Sequence, residues 1–165
     1  MSIAAAYARA AHAAGVQRLV ASYRSIPENA TVRLAKPTSN LFRARAKNTV
    51  SGLDTSGLTA VIAVDPDART ADVAGMCTYE DLVAATLPDG LAPLVVPQLK
   101  TITLGGAVTG LGIESTSFRN GLPLEAGFRH WKANDLYALS VVLRRPIRRM
   151  EIALRQCVQP GTRPG

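Results

Sequence analysis

Cysteine and histidine are scarce in this chain of 165 residues, which contains two of each. Cys77 and Cys157 are too few to build a disulfide framework, and their surroundings show no metal-binding spacing. The two histidines lie far apart in the sequence, so a zinc site is not expected either. This usage of cysteine agrees with a reducing compartment, and we expect a cytoplasmic protein.

Long apolar runs are absent as well. The longest candidate, residues 91–99, is interrupted by two prolines and a glutamine, whereas a membrane-spanning helix needs about 20 apolar residues. No basic stretch precedes an apolar core at the N-terminus, so no secretory signal is expected. Hydrophobic residues make up 47% of the chain and charged residues 19%, which is typical of one folded domain.

Acidic residues are few in the C-terminal part. Residues 1–124 contain 11 Lys and Arg against 9 Asp and Glu, whereas residues 125–165 contain 8 against 3. Most of the net charge of +7 therefore belongs to an arginine-rich tail. A non-catalytic basic module that binds nucleic acid or an acidic partner is the alternative function. Nucleic acid is not favoured, because few aromatic residues interleave with the arginines.

The most distinctive stretch, residues 95–122, combines glycines with small hydroxyl side chains. Glycine permits close backbone approach and a positive φ, and successive N–H groups in such a turn can surround an anion. This chemistry suits a pyrophosphate, although a glycine-rich turn without a ligand is an open alternative from composition. The glycines are Gly105, Gly106, Gly110 and Gly112, and the flanking hydroxyl residues are Thr101, Thr103, Thr109, Ser115, Thr116 and Ser117.

Two common phosphate-binding motifs are missing from this stretch. No lysine follows the glycines in the spacing of an ATP-binding P-loop, and the G-x-G-x-x-G fingerprint of a Rossmann dinucleotide site is absent. We also expect no amphipathic helix directly after the glycines. The sequence therefore favours a different kind of dinucleotide site.

The order of these residues resembles a known family. Thr103-Leu104-Gly105-Gly106, followed by Gly110-Leu111-Gly112-Ile113-Glu114-Ser115-Thr116-Ser117, is similar to the FAD-binding segment of the p-cresol methylhydroxylase type in the vanillyl-alcohol oxidase superfamily. The similarity is greatest to sterol side-chain reductase-like bacterial FAD-linked oxidoreductases. It extends weakly back to about Lys36 and so covers roughly half of the chain.

The resemblance implies FAD as the cofactor of a flavin-dependent oxidoreductase. It also implies that residues 36–40 form the first phosphate-facing loop, although an ordinary surface turn is equally open. Because no histidine lies between His12 and His130, we expect non-covalent attachment. The implied cofactor-binding residues are Thr103, Leu104, Gly105, Gly106, Gly110, Gly112, Ile113, Ser115 and Ser117.

The substrate implied for a full-length relative is a small molecule, sterol-like or an alcohol. No catalytic acid or base can be named. Glu114 is the only ionisable group inside the motif, and a structural hydrogen-bonding role is open for it.

The predicted fold is α+β, a first FAD-binding subdomain with a small mixed sheet and helices behind an N-terminal helix. We predict a helix over 2–25 with Val16, Leu19, Val20 and Tyr23 on one face, interrupted at Gly15. Further elements are a strand at 30–34, a hairpin of 58–64 with 70–73, and a helix over 78–86 that Thr78 caps. A turn at 88–90 then leads to a β-type run ahead of the glycines.

We predict three segments, which are an N-terminal helical segment (1–29), a partial FAD-binding domain (30–123) and an atypical arginine-rich tail (124–165). Residues 135–143 fit either a helix or a strand, and 147–157 fit a short basic helix. Because the resemblance stops abruptly at Pro123, we expect a truncated chain whose tail is read in a shifted frame. We therefore expect weak FAD binding at most and no turnover from this chain by itself.

Overall fold

The computed structural model describes residues 3–36, 52–110, 113–114, 117–120 and 138–144, and for residues 120 and 138–144 it describes the backbone alone. The elements confirm a mixed helix and small-sheet fold of the α+β class. In chain order they are α1 (Ile3–Arg24), β1 (Leu34–Ala35), β2 (Leu53–Asp54), β3 (Val61–Asp65), β4 (Thr70–Ala74), α2 (Tyr79–Thr86), a 3-10 turn (Leu87–Asp89), β5 (Ala92–Pro93), α3 (Leu104–Thr109), α4 (Ser117–Asn120) and β6 (Ala138–Arg144).

The predicted hairpin forms between β3 and β4. The two strands pair antiparallel, from Val61 opposite Val73 to Asp65 opposite Thr70. The first strand begins three residues later than predicted, because the N–H of Leu58 donates to the carbonyl of Thr55 in a turn (3.0 Å). The hairpin forms one side of a four-stranded sheet with the order β3-β4-β6-β5.

The strand β6 comes from the segment whose type the sequence left open between helix and strand. It pairs antiparallel with β4 on one side and with the short β5 on the other. The sheet therefore crosses the predicted boundary at residue 123, and an inner strand is supplied by residues 138–144. The predicted basic helix at 147–157 and the rest of the tail lie outside the described residues.

The predicted strand at 30–34 is wrong in position. Residues 27–30 form a turn in which the N–H of Ala30 donates to the carbonyl of Pro27 (2.9 Å). Pairing starts only at β1, which runs parallel to β2 with Leu34 opposite Leu53. The reason is that a strand needs a partner, and the pairing with β2 involves Leu34 and Ala35.

The helix α1 forms as predicted, and Val16, Leu19 and Val20 of the predicted face are half-buried, but the most buried positions are shifted around the helix. Its buried residues are His12 and Gly15, whereas Tyr23 is 60% exposed. Gly15 does not interrupt the helix. It lies against Gly57, where a Cβ atom would come within 2.8 Å of the Gly57 carbonyl carbon. His12 is thus a packed position on α1.

Local capping chemistry sets the start of α2. The Thr78 hydroxyl accepts a hydrogen bond from the N–H of Asp81 (3.1 Å), as the sequence predicts. Glu80 and Asp81 lie in the first turn, where the positive end of the helix dipole stabilises carboxylates. The 3-10 turn that follows ends at Gly90, whose φ of 67° is in the left-handed region.

The hydrophobic core lies between α2, α3 and the hairpin strand β4. Leu82, Leu91 and Leu104 are its largest fully buried apolar side chains, and burial of each contributes about 1.5–3 kcal/mol relative to exposure. Leu104 belongs to the glycine-rich stretch, so this core also anchors that stretch. The buried members are Ala71, Val73, Cys77, Tyr79, Leu82, Leu91, Leu104 and Ala107.

Cys77 is a small core residue, and we expect it to be unreactive in the folded chain. Burial, with a smaller contribution from the Asp81 carboxylate, raises the pKa of the Cys77 thiol to about 12. At pH 9 an ordinary thiol is about half ionised, so alkylation of Cys77 by iodoacetamide should be roughly a thousandfold slower in the native state than in the unfolded state. Mass spectrometry of the peptide that contains Cys77 would measure both rates. Similar rates would contradict this assignment.

Candidate functional site

Part of the glycine-rich stretch forms the short helix α3, which Thr103 caps. Thr103 has extended backbone angles (φ −82°, ψ 149°), and its hydroxyl accepts from the N–H of Gly106 at 3.2 Å, so it caps α3. Leu104, Ala107 and Val108 bury one side of the short helix, which is the apolar spacing that favours helical structure. The prediction of a turn at the glycines is therefore wrong, whereas the predicted β-type run ahead of them is confirmed in part by the short strand β5.

Positive φ is not what Gly105, Gly106 and Gly110 supply. Gly110 ends α3 with a φ of −85°, and neither Gly105 nor Gly106 is among the positive-φ residues of the described chain. Gly105 is required for close approach instead, because a Cβ atom there would lie 2.7 Å from the carbonyl oxygen of Gly75. Of the two roles that the sequence allowed for these glycines, close backbone approach is the one that Gly105 has.

Backbone hydrogen bonds hold residues 100–105 against residues 75–80. The N–H of Gly105 donates to the carbonyl of Gly75 (2.7 Å), and the N–H of Leu104 donates to that of Cys77 (2.8 Å). In the other direction, the N–H groups of Tyr79 and Glu80 donate to the carbonyls at 102 and 100 (3.0 and 3.1 Å). An ion pair between Lys100 and Glu80 (2.6 Å) closes the far end. We call this set of backbone hydrogen bonds, together with the ion pair, the backbone clamp.

The backbone clamp has a chemical consequence for anion binding. The first N–H groups of α3 already donate inside the chain: Leu104 to Cys77, Gly105 to Gly75, and Gly106 to the Thr103 hydroxyl. Ala107 likewise donates to the carbonyl of Thr103 (3.0 Å). A phosphate at this place would therefore have to be met by side chains or by the segment that follows α3.

Among the described residues that follow α3, two large apolar side chains lie at the surface. Ile113 is 79% exposed and Phe118 is 85% exposed. Ser117 begins α4, and its hydroxyl accepts from the N–H of Glu114 (3.0 Å) while its own N–H donates to the carbonyl of Glu114 (2.8 Å). The two other predicted contacts in this segment, Gly112 and Ser115, lie outside the described residues.

Among the predicted site residues, Leu104 has a structural position. Its side chain is 1% exposed, so it anchors the stretch in the core and does not offer a surface to a ligand. Thr103, Gly105, Gly106 and Gly110 are brought together by the start and the end of α3. Ile113 and Ser117 follow on the exposed segment.

One contact joins the glycine-rich stretch to Lys36, the first residue of the predicted phosphate-facing loop at 36–40. The ammonium group of Lys36 donates to the Thr103 hydroxyl oxygen at 3.5 Å, across 67 residues of sequence. The remaining residues of that loop, 37–40, lie outside the described residues. Sequence reasoning named this segment but did not single out Lys36, although a cation at the start of a phosphate-facing loop was the available signal.

Glu114 lies where its charge acts on a core tyrosine. Burial raises the pKa of the Tyr79 phenol to about 12, and the Glu114 carboxylate adds to this increase. Tyr79 is 3% exposed and therefore stays neutral at physiological pH. This position gives Glu114 a structural neighbour and no partner for acid–base chemistry among the described residues.

Some classes of site and of segment are not found in the described part of the chain. No group of three or more histidine, cysteine, aspartate or glutamate residues there could hold a metal ion. No helix there combines the length and the apolar character that crossing a bilayer requires.

Comparison with known proteins identifies the family. No curated protein matches the chain. The family model described as "FAD binding domain" matches residues 4–125, which is more than half of the chain and includes α1, the backbone clamp and α4. The match starts well before the predicted resemblance at Lys36 and ends two residues after the predicted boundary. With this match over the residues that form the glycine-rich site, the chain belongs to the FAD binding domain family.

Proposed function

We propose that this chain binds FAD non-covalently as the cofactor-binding part of a flavin-dependent oxidoreductase of the p-cresol methylhydroxylase type. The observation that carries the proposal is the backbone clamp, which fixes the glycine-rich stretch inside the segment that the family model matches. A stretch held in this way presents a preorganised surface, so little conformational entropy remains to be lost when a cofactor binds.

The residues at this surface fit the chemistry of a flavin dinucleotide. Lys36 and Thr103 offer donors to a phosphate, and the exposed Ile113 offers apolar area to a ring system. Gly110, Gly112, Ser115 and Ser117 complete the proposed contacts. When bound, FAD supplies redox chemistry at its flavin ring, while the protein orients the reactants and excludes competing reactions.

Non-covalent attachment is supported by the positions of Cys77 and His12, the cysteine and the histidine within the described residues. Cys77 is fully buried, and His12 is 9% exposed in α1. Neither side chain therefore offers a nucleophile at the surface of the glycine-rich stretch. A sterol-like compound or an alcohol as the substrate, and the cytoplasm as the location, stay part of this proposal on the resemblance in residues 103–117.

Although the sequence predicted weak FAD binding at most, β6 supplies an inner strand of the sheet, and we therefore expect the purified chain to bind FAD with a micromolar or lower Kd. Isothermal titration would measure the affinity. Acid precipitation should release the flavin into the supernatant, as non-covalent binding requires. In a dye-reduction assay with sterols and alcohols we expect no sustained turnover, because the described residues do not form a surface that would orient a substrate against the flavin.

Three results would contradict parts of this proposal. A chain that does not bind FAD but binds DNA in a salt-dependent manner would favour the basic interaction module. Flavin that stays with the precipitate would exclude non-covalent attachment. Sustained dye reduction would show that the 165 residues form a working enzyme by themselves.

A further inference from the structure

We propose that the outward face of α1 is an interface between two copies of this chain, which pair through their α1 helices in antiparallel orientation. The inference goes beyond the proposed function and does not depend on FAD binding. It assigns a role to the longest helix of the described residues, whose fully buried positions are His12 and Gly15 alone.

The outward face of α1 has the residue spacing of a coiled-coil seam. Exposed positions recur alternately four and three residues apart along the whole helix, and this is the spacing at which paired helices meet. Ile3 is 91% exposed and Tyr7 is 78% exposed, so both large apolar side chains of the series face solvent. We call the series the α1 seam, and its members are Ile3, Tyr7, Ala10, Ala14, Gln17, Ala21 and Arg24.

The α1 seam points away from the domain to which the helix belongs. α1 packs against β2 and β3 with the side that contains His12 and Gly15, and at about 100° per residue Ile3 lies opposite His12 around the helix. A histidine therefore faces inward while Ile3 and Tyr7 face outward. A helix that packs only on its own domain has the reverse pattern, so the outward apolar residues indicate a second contact.

The sizes of the seam residues fit a second copy of the same helix in antiparallel orientation. The two large side chains lie in the N-terminal half of the seam, and smaller ones follow. Two antiparallel copies place Ile3 opposite Ala21, Tyr7 opposite Gln17 and Ala10 opposite Ala14. The two-fold axis repeats each of these layers, so every large side chain meets a smaller one. A parallel pair would place Ile3 against Ile3 and Tyr7 against Tyr7, which would hold the alanine half of the helices apart.

The charges of α1 favour the same orientation. The helix contains Arg9, Arg18 and Arg24 and no acidic residue. A parallel pair would bring each arginine close to its own copy, whereas the antiparallel pair places Arg18 beside Ala4 of the second copy and leaves Arg24 beyond the last layer. Arg9 and Arg18 are also paired within the chain, with Asp72 at 3.4 Å and with Asp54 at 4.0 Å.

The residues beside the seam permit a close approach of the two helices. Alanines occupy most of these flanking positions, and small side chains let helix backbones come near each other. A helix of 22 residues is about 33 Å long, so one helix pair gives an interface at the small end of the specific range. We therefore expect a weak dimer with a Kd on the order of 10–100 μM. The exposed flanking alanines are Ala4, Ala6, Ala11 and Ala13.

Sedimentation velocity of the full chain at increasing concentrations tests the pairing. Tyr7→Lys introduces a charge into the seam and should raise the dimer Kd at least about tenfold. Tyr23→Lys is the matched control, because Tyr23 is also exposed on α1 but lies outside the seam, and it should keep the Kd within about threefold. Added NaCl should strengthen the dimer of the unchanged chain, since it screens the repulsion between two basic helices.

Cross-linking tests the orientation of the two helices. In a chain with Cys157→Ser, Ala11→Cys should form a covalent dimer with a short bismaleimide, because the two copies of position 11 lie side by side across the antiparallel pair. Ile3→Cys should not, because its two copies would be about 27 Å apart along the helices. Ala14→Lys is a second seam variant that should weaken the dimer as Tyr7→Lys does, and circular dichroism would show that each variant keeps its helix content.

Each contrary result identifies what is wrong. A chain that stays monomeric at every concentration would overturn the inference. Rapid labelling of Ala11→Cys in that monomer would assign the seam to another partner, and slow labelling would assign it to residues of the same chain. Equal Kd values for Tyr7→Lys and Tyr23→Lys would place the interface elsewhere. Covalent dimers of Ile3→Cys without those of Ala11→Cys would overturn the antiparallel orientation.

Discussion

Replacing Gly105 by alanine should destabilise the folded chain by about 1–3 kcal/mol, although alanine is the better helix former. In the interior of a helix, Gly to Ala stabilises by about 1 kcal/mol. At Gly105, however, the new Cβ atom would lie 2.7 Å from the Gly75 carbonyl oxygen, and overpacking of this kind costs about 1–3 kcal/mol. Separation of the two segments would also lengthen the 2.7 Å hydrogen bond from the Gly105 N–H to the same oxygen, a bond worth about 1 kcal/mol.

Gly75→Ala is the matched control for this prediction. A Cβ atom at Gly75 would meet no heavy atom within 4 Å, so the same chemical change on the other side of the backbone clamp should leave stability within about 0.5 kcal/mol. Urea denaturation would measure both free energies of unfolding, and FAD titration would show whether affinity falls with the clamp. Equal stabilities of the two variants would mean that the clamp does not depend on the close approach of Gly105.

Gly15→Ala should have the second large effect, the release of α1 from the rest of the domain. The new Cβ atom would lie 2.8 Å from the carbonyl carbon of Gly57, and a Cβ atom at Gly57 would lie 2.6 Å from the Cα atom of Gly15. Because both contacts involve backbone, neither can be relieved by rotation of a side chain. We expect a loss of about 2 kcal/mol or more in stability despite the gain of about 1 kcal/mol in helix propensity.

The measurement that isolates this effect is hydrogen exchange over residues 3–24, which should lose protection in Gly15→Ala while β3 and β4 keep theirs. Ala14→Gly, on the exposed side of the same helix, is the control, since it should cost about 1 kcal/mol through propensity alone and leave α1 docked. A more stable Gly15→Ala chain would show that Gly15 and Gly57 are not in close contact.

Several local features of this fold could be predicted without tertiary information. The cap of α2 is an interaction between residues three apart, so Thr78 and Asp81 carry the whole signal. The hairpin follows from a short apolar strand, a polar turn and a second strand within 15 residues. In both cases the residues in contact lie close together in the sequence, so a local pattern of residue types predicts the element.

Only some features of the glycine-rich stretch could be predicted from its local sequence. Its residue order was sufficient to indicate an FAD-binding family, which the match over residues 4–125 supports. The reason for Gly105 was not visible, because the atom that excludes a side chain there belongs to Gly75, thirty residues earlier. Sequence reasoning offered both positive φ and close backbone approach for the glycines, but it predicted a turn there and so missed helix α3.

The sequence by itself determined the class of cofactor and the main α1, hairpin and α2 elements, since these depend on residue order, capping and short-range spacing. Tertiary structure alone decided which distant residues meet. Residues 138–144 form an inner strand between β4 and β5, and His12 and Gly15 are the buried positions of α1. Lys36 contacts Thr103. Each of these depends on atoms that lie far apart along the chain. These contacts depend on how the elements assemble, and no local pattern of residues encodes that.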